Sequence, residues 1–199
     1  MCLKLCIIAL HHHIVYSLDQ EKFAGILLIA YDFSKAFDRL KHDVIIKSLR
    51  ENSFSESFIS WITNYLKDRR QYVRLGTSIS CPLRVTSGVP QGSILGPYLF
   101  SLVIGSFSLN RTDCQLIKYA DDFTTSIPIY NKDSSNDHVQ RTHEELLAWA
   151  SDTSLTLNIS KCKSLFIPSA KDCDEIKIPG IENVNELRLL GVTINSRCT

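Results

Sequence analysis

The sequence predicts an α+β protein, with helices packed against a small, mostly antiparallel sheet. Three observations carry the prediction. A continuous apolar run, Ile26 to Tyr31, is bounded by Gly25 and Asp32 and reads as a strand buried on both faces. Two pairs of short β-prone segments, 71–75 with 83–86 and 115–119 with 123–129, flank turn residues and read as hairpins. Around them lie segments whose apolar residues recur at helical spacing.

Taken in order, residues from about Leu5 to Phe23 form a helix, Gly25 punctuates, and the buried strand ends at Asp32. Asp38 is the expected N-cap of a helix running to about Glu51, and Ser55 caps another through Trp61 and Leu66 to the basic Lys67, Arg69 and Arg70. The first hairpin turns through Gly76–Ser80, and 87–93 is a loop punctuated by Gly and Pro. Ile94 to about Phe107 is apolar enough for a buried helix, with Pro97 tolerated in its first turn. The second hairpin carries Ala120, Asp121 and Asp122 at its tip. A polar stretch, 131–137, precedes a helix from about His138 to Ser151, and strands follow at 164–167 and 187–194. No repeat, low-complexity tract or linker divides the 199 residues, which suit a single domain.

Composition excludes several classes. Lys and Arg number 22 against 21 Asp and Glu, so the chain is not a strongly basic nucleic-acid binder overall, although a local groove can still be basic. The seven cysteines, odd in number and without a C-x-x-C pair, argue against a disulfide framework or zinc site and suit a reducing compartment. His11, His12 and His13 are consecutive, and neighbours on a helix point in different directions, so they do not converge on one ion. The apolar run from Leu5 to Leu10 ends in histidines rather than a cleavage site, and no stretch approaches the ~20 apolar residues of a membrane span. An intracellular protein of the cytoplasm and nucleus, neither secreted nor membrane-bound, is expected.

Three carboxylates stand out by placement. Asp32 ends a buried strand, and Asp121 with Asp122 tips a hairpin far along the chain. Carboxylates brought together repel unless a cation neutralises them, and hard oxygen ligands suit magnesium. Each also has a plain reading: Asp favours turns because it bonds nearby backbone amides, and a strand commonly ends in one.

Four ordered segments add context: DFSKAFD (32–38), SGVPQGSILGP (87–97), YADD (119–122) and LGVTI (190–194). Together they resemble the palm motifs of reverse transcriptases, especially those of non-LTR, LINE-type retrotransposons, from about His11 to Ile194. The resemblance implies a polymerase palm, a ferredoxin-like sheet on helices with partial fingers and no thumb. It implies RNA-directed DNA polymerase activity, in which dNTPs are joined to a DNA primer on an RNA template by a mechanism using two Mg²⁺ ions, with Mn²⁺ as a substitute. Asp32, Asp121 and Asp122 match the metal-binding catalytic triad, and the carbonyl of Phe33 matches a further metal ligand. Phe37 matches the steric gate that rejects a ribose 2′-hydroxyl, against its plain reading as a core aromatic. Gln91 and Gly92 match the loop along the incoming nucleotide, against a simple helix-entry turn capped by Ser93. Lys161 or Lys163 matches the lysine near the triphosphate, and Leu190 with Gly191 the primer grip.

Two features depart from the family. Tyr31 stands where an aliphatic residue usually precedes the aspartate, and the sequence begins near the helix before Asp32. The expectation is a truncated domain of a retrotransposon polyprotein whose endonuclease, upstream fingers and thumb would be its partners. The rival readings are a catalytically inactive nucleic-acid-binding remnant and an RNA-templated RNA polymerase.

Overall fold

The computed structural model describes residues 3–131, 137–169 and 176–196, so Cys2, Cys173 and Cys198 lie outside the described residues. The chain divides into two compact units. Unit 1 comprises residues 1–34, 108–150 and 156–199, and unit 2 comprises 35–107 with 151–155. Among the described residues no helix is long and apolar enough to cross a membrane.

Unit 1 is built on a five-stranded sheet. Its strands are β1 (Phe23–Tyr31), β6 (Gln115–Tyr119), β7 (Asp122–Tyr130), β8 (Lys163–Pro168) and β9 (Glu182–Asn183), ordered β6-β7-β1-β8-β9. All pairings are antiparallel except β8 with β9. The α+β class with a mostly antiparallel sheet is as expected.

Because side chains alternate along a strand, the apolar run of β1 serves both faces at once. Ile26 and Leu28 join Leu165 and Ile167 in a cluster with Cys6, Leu10 and Ile14 of α1 (Leu3–Leu18). Tyr31, on the other face, stacks on His143 of α6 (Asp137–Asp152), with ring centroids 5.7 Å apart. The Tyr31 hydroxyl and His143 Nδ1 lie 3.4 Å apart, so the large ring at this position is accommodated by a buried polar partner.

Three expectations in this unit need correction. The first helix stops at Leu18 and β1 begins at Phe23, so Gly25 lies inside the strand, at a register shift against β7. A Cβ there would sit 2.6 Å from the Ile167 carbonyl oxygen and 2.8 Å from the Phe166 ring, so glycine marks close approach rather than a boundary. The segment 187–194 is two strands, β10 (Glu186–Leu189) and β11 (Val192–Asn195), with Leu190 and Gly191 as the turn. Both turn residues have positive φ, 49° and 87°, as a type I′ hairpin turn requires.

Unit 2 holds α2 (Ala36–Arg39), α3 (His42–Glu51), α4 (Glu56–Leu66) and α5 (Leu95–Gly105). The helix expected from Asp38 to Glu51 is broken at Leu40-Lys41, where Lys41 bridges to Ser87. Ser55 does cap α4, accepting the Phe58 N–H at 3.4 Å. The first hairpin is two separate ladders. Arg70–Gln71 (β2) pairs with Leu83–Arg84 (β5), and Arg74–Leu75 (β3) with Ser78–Ile79 (β4). The core of the unit gathers Leu40, Ile45, Ile62, Phe100 and Val103, all shielded from solvent.

Candidate active site

In unit 1 the register carries the argument. Tyr31 pairs with Phe123, so the next residues outward, Asp32 and Asp122, stand side by side at the ends of adjacent strands. Tyr119 pairs with Asp122, which makes Ala120-Asp121 a two-residue turn, with Ala120 held at φ 53°. A non-glycine residue in that region costs about 1–3 kcal/mol and persists only where the surroundings impose it. Asp32 is fixed at its backbone: its N–H donates to Cys162 Sγ at 3.5 Å and its carbonyl accepts from the Asn158 N–H at 2.8 Å. Its side chain stays 39% exposed.

Electrostatics follow from this crowding. Partial burial raises the Asp122 carboxyl above the ordinary aspartate value, and the charges of Asp121 and then Asp32 push it the same way. A carboxylate whose folded pKa is raised weakens the fold as pH climbs from its ordinary value through the raised one, and the penalty persists above. Asp122→Asn is therefore expected to stabilise the metal-free protein at neutral pH. The gain stays below about 1 kcal/mol for a group this open to solvent, hence up to about 2–4 °C in Tm by calorimetry.

The sequence-predicted residues separate into two groups. Beside the carboxylates, Lys161 Nζ lies 3.9 Å from Asp32 Oδ2, at the end of a 3₁₀ turn (Ile159–Lys161). Lys163, two residues on, is instead turned to Glu182 at 3.7 Å. Phe33 bridges Leu157, but the hydrogen bonds of that bridge run from Asn158 to Asp32 and from Ser34 to Thr156. In such a pair the central residue directs its own carbonyl to the opposite side. That leaves the Phe33 oxygen facing away from its partner strand.

Among the described residues no three His, Cys, Asp or Glu side chains close around a single point. The donor set nonetheless fits magnesium, which takes one or two protein carboxylates and fills its shell with water and phosphate oxygens. Relief of the mutual repulsion on Asp122 is what such an ion would supply.

The second group is internal to unit 2. The Phe37 ring stacks on buried Phe100 with centroids 4.0 Å apart and planes 19° apart, and borders a cavity of about 280 Å³ together with Gln91 and Gly92. The 87–91 loop is stitched to the Phe37–Leu40 segment: Gly88 N–H donates to Leu40 O at 2.7 Å and Val89 N–H to Phe37 O at 2.9 Å. Gln91 Nε2 donates to Asp38 Oδ1 at 2.7 Å, so Asp38 positions the loop instead of capping a helix. Ser93 accepts the Gly96 N–H at 3.0 Å, as the helix-entry reading of this loop expects.

Sequence reasoning missed Gly88, the pivot of this seam. Its φ is +84°, and a Cβ would lie 2.8 Å from both the Cα and the carbonyl oxygen of Asp38. Gly88→Ala is expected to cost about 2 kcal/mol or more. That corresponds to a fall of about 4–8 °C in thermal unfolding.

The comparisons agree with one another. A family model described as reverse transcriptase (RNA-dependent DNA polymerase) matches residues 8–194. The probable RNA-directed DNA polymerase from transposon BS of Drosophila melanogaster is 29% identical over 203 residues, covering 94% of this chain and 22% of that protein. The RNA-directed DNA polymerase from mobile element jockey of Drosophila funebris is 24% identical, covering 92% of this chain and 21% of that protein. The chain thus spans about a fifth of the length of these relatives. Telomerase from Candida tropicalis, solved with a fragment of telomeric RNA, superposes over 97% of this chain and 32% of its own with a TM-score of 0.68. At 14% identity that likeness concerns the fold alone, a mixed α+β architecture of polymerase-palm type. The chain belongs to the reverse transcriptase (RNA-dependent DNA polymerase) family, in its non-LTR retrotransposon branch.

Proposed function

We propose that the chain carries the nucleotidyl-transfer centre of an RNA-directed DNA polymerase, extending a DNA primer with dNTPs on an RNA template. The observation that carries this reading is the pairing of Tyr31 with Phe123, which sends Asp32 and Asp122 out together beside Asp121. Partial burial, and then the charges of Asp121 and Asp32, raise the Asp122 carboxyl, and a bound cation would offset that repulsion. Reverse transcriptases use divalent metals, and here Asp32, Asp121 and Asp122, with the Phe33 carbonyl, would hold a pair of magnesium ions. When bound, such ions supply Lewis-acid stabilisation of charge on the attacking and leaving oxygens.

The reaction joins the primer 3′-hydroxyl oxygen to the α-phosphorus of the dNTP and releases pyrophosphate. The protein's own contribution is placement, which is where most of the barrier reduction in phosphoryl transfer arises. Lys161, 67% exposed beside Asp32, brings a cation for triphosphate oxygens. Phe37 offers a ring edge to the sugar, and Gln91 an amide able to donate and accept. The Leu190-Gly191 turn, with both residues in the left-handed conformation, would hold the primer end. The other parts of a retrotransposon polyprotein, including an endonuclease, are its proposed partners.

The test is primer extension on an annealed RNA template with dNTPs and Mg²⁺. Assays use the chain itself and a chimera placing it within the transposon BS polymerase, which it matches over 22% of that protein's length. Extension that needs both RNA template and divalent cation supports the reading. Its absence from both proteins, with the fold intact, overturns it in favour of an inactive nucleic-acid binder.

A further inference from the structure

One face of α4 is neither core nor ordinary solvated surface. The buried face of this helix is Ile59, Ile62 and Leu66. Along the other run the rings of Phe58, Trp61 and Tyr65, with Phe54 just before the helix continuing the row. Phe54 and Phe58 are 5.2 Å apart, Phe58 and Trp61 5.7 Å, and Trp61 and Tyr65 6.3 Å. Phe54 is 42% exposed and Trp61 52%, while Phe58 and Tyr65 between and beyond them are half-buried. It ends in a cation, because the Arg69 guanidinium lies over the Tyr65 ring at 4.9 Å.

Arg69 also belongs to a second feature of the same unit. With Lys35, Arg70 and Arg84 it lines a cavity of about 680 Å³ floored by residues 85–91. Arg70 stands directly opposite Arg84 in the β2–β5 ladder. Like charges facing each other across a ladder are destabilising, and a bound anion would relieve that. Asp68 offsets one of these charges by pairing with Arg84 at 2.7 Å, and Asp38, which also lines the cleft, accepts the Gln91 amide, so positive charge remains in excess on Lys35, Arg69 and Arg70.

We propose that the stripe Phe54-Phe58-Trp61-Tyr65 and the cleft of Lys35, Arg69, Arg70 and Arg84 form one track for single-stranded nucleic acid. Bases stack on the rings, and phosphates sit among the cations. Exposed aromatics leading into a positive groove are what sequence-tolerant single-strand binding uses, because every base has a π face and every nucleotide a charge. A protein partner would find the apolar stripe attractive but would have to match four clustered cations as well. The proposal rests on the polymerase reading for the source of its strand, the unpaired template, and on unit 2 alone for its geometry.

The test uses the full chain and a fluorescein-labelled 20-nucleotide oligouridylate, in EDTA and without dNTPs, read by fluorescence anisotropy. Trp61→Ala is expected to weaken binding about tenfold, the ordinary worth of one stacked base, and Trp61→Phe to retain most of the affinity. Arg70→Gln should lower the slope of log K against log salt by about 0.7, one phosphate contact on a single strand. Both positions are exposed, and circular dichroism checks the fold. No binding by the parent chain overturns the proposal. So do unchanged affinity and slope in both variants, or a self-association that Trp61→Ala dissolves while oligonucleotide affinity stays the same. The Asp121→Asn protein should bind like the parent. Binding without primer extension would therefore count against the polymerase reading and not against the track.

Discussion

Asp121→Asn is expected to reduce primer extension by about a thousandfold or more while leaving the fold intact. The residue sits in a two-residue turn at the tip of the β6–β7 hairpin, exposed, where asparagine is as well suited as aspartate. What changes is charge. A carboxylate that helps hold a divalent cation secures several kcal/mol of transition-state stabilisation, and each ~1.4 kcal/mol is tenfold in rate. Removing the Asp121 charge also removes one of the causes that raise Asp122, so Asp122 should titrate closer to an ordinary aspartate in the variant. Single-turnover extension and a carboxylate titration by NMR would measure the two effects separately. Extension at the parental rate would remove the metal-assisted mechanism altogether.

The second large effect is on sugar selection. Phe37→Val is expected to lower the preference for dNTPs over rNTPs by about 10–200-fold, the range for one steric contact in a binding site. The ring's position makes the experiment informative in either direction. One side of Phe37 is committed to stacking on Phe100, and its remaining edge borders the cavity shared with Gln91 and Gly92. A packing role predicts a loss of stability with the dNTP-to-rNTP ratio unchanged. A gate predicts a changed ratio at comparable dNTP turnover. Valine keeps part of the apolar contact, so the comparison does not depend on an empty core.

Much of this was legible because the signals were local. The apolar run of β1, ended by Asp32, identified the central strand, and the YADD turn identified its neighbour. The register in which Tyr31 pairs with Phe123 then sets Asp32 beside Asp122 in unit 1. What escaped the sequence depended on contacts distant along the chain. Gly25 looked like a boundary, since nothing local says that the Ile167 carbonyl and Phe166 ring press against it. The break between α2 and α3 comes from the Lys41–Ser87 bridge, and Asp38 gave up a capping role because Gln91, far along the chain, claims its carboxylate.

Lys161 and Lys163 were equivalent as letters. They part because one ends a 3₁₀ turn beside Asp32 and the other enters β8 opposite Glu182. The basic cleft was hidden for a related reason. Arg70 was visible only as part of a basic helix end, and its pairing with Arg84 exists only once the ladder forms. The strand β9, two residues long and parallel to β8, carried no periodic signal at all.

The placement of β1 also governs how the chain comes apart. It is hydrogen-bonded to β7 on one side and β8 on the other, and Leu27, Leu28 and Ile29 have no contact with solvent. The four strands β2 to β5 are two residues each, and every residue in them is exposed. Segments open in order of how little they bury, from near-zero cost up to that of complete unfolding. Thermal fluctuation will therefore loosen the arginine-bearing ladders many times over before it disturbs the strand that ends in Asp32. Asp32 is thus tied to the last region to give way, and the ladders that carry Arg70, Arg74 and Arg84 are free to breathe.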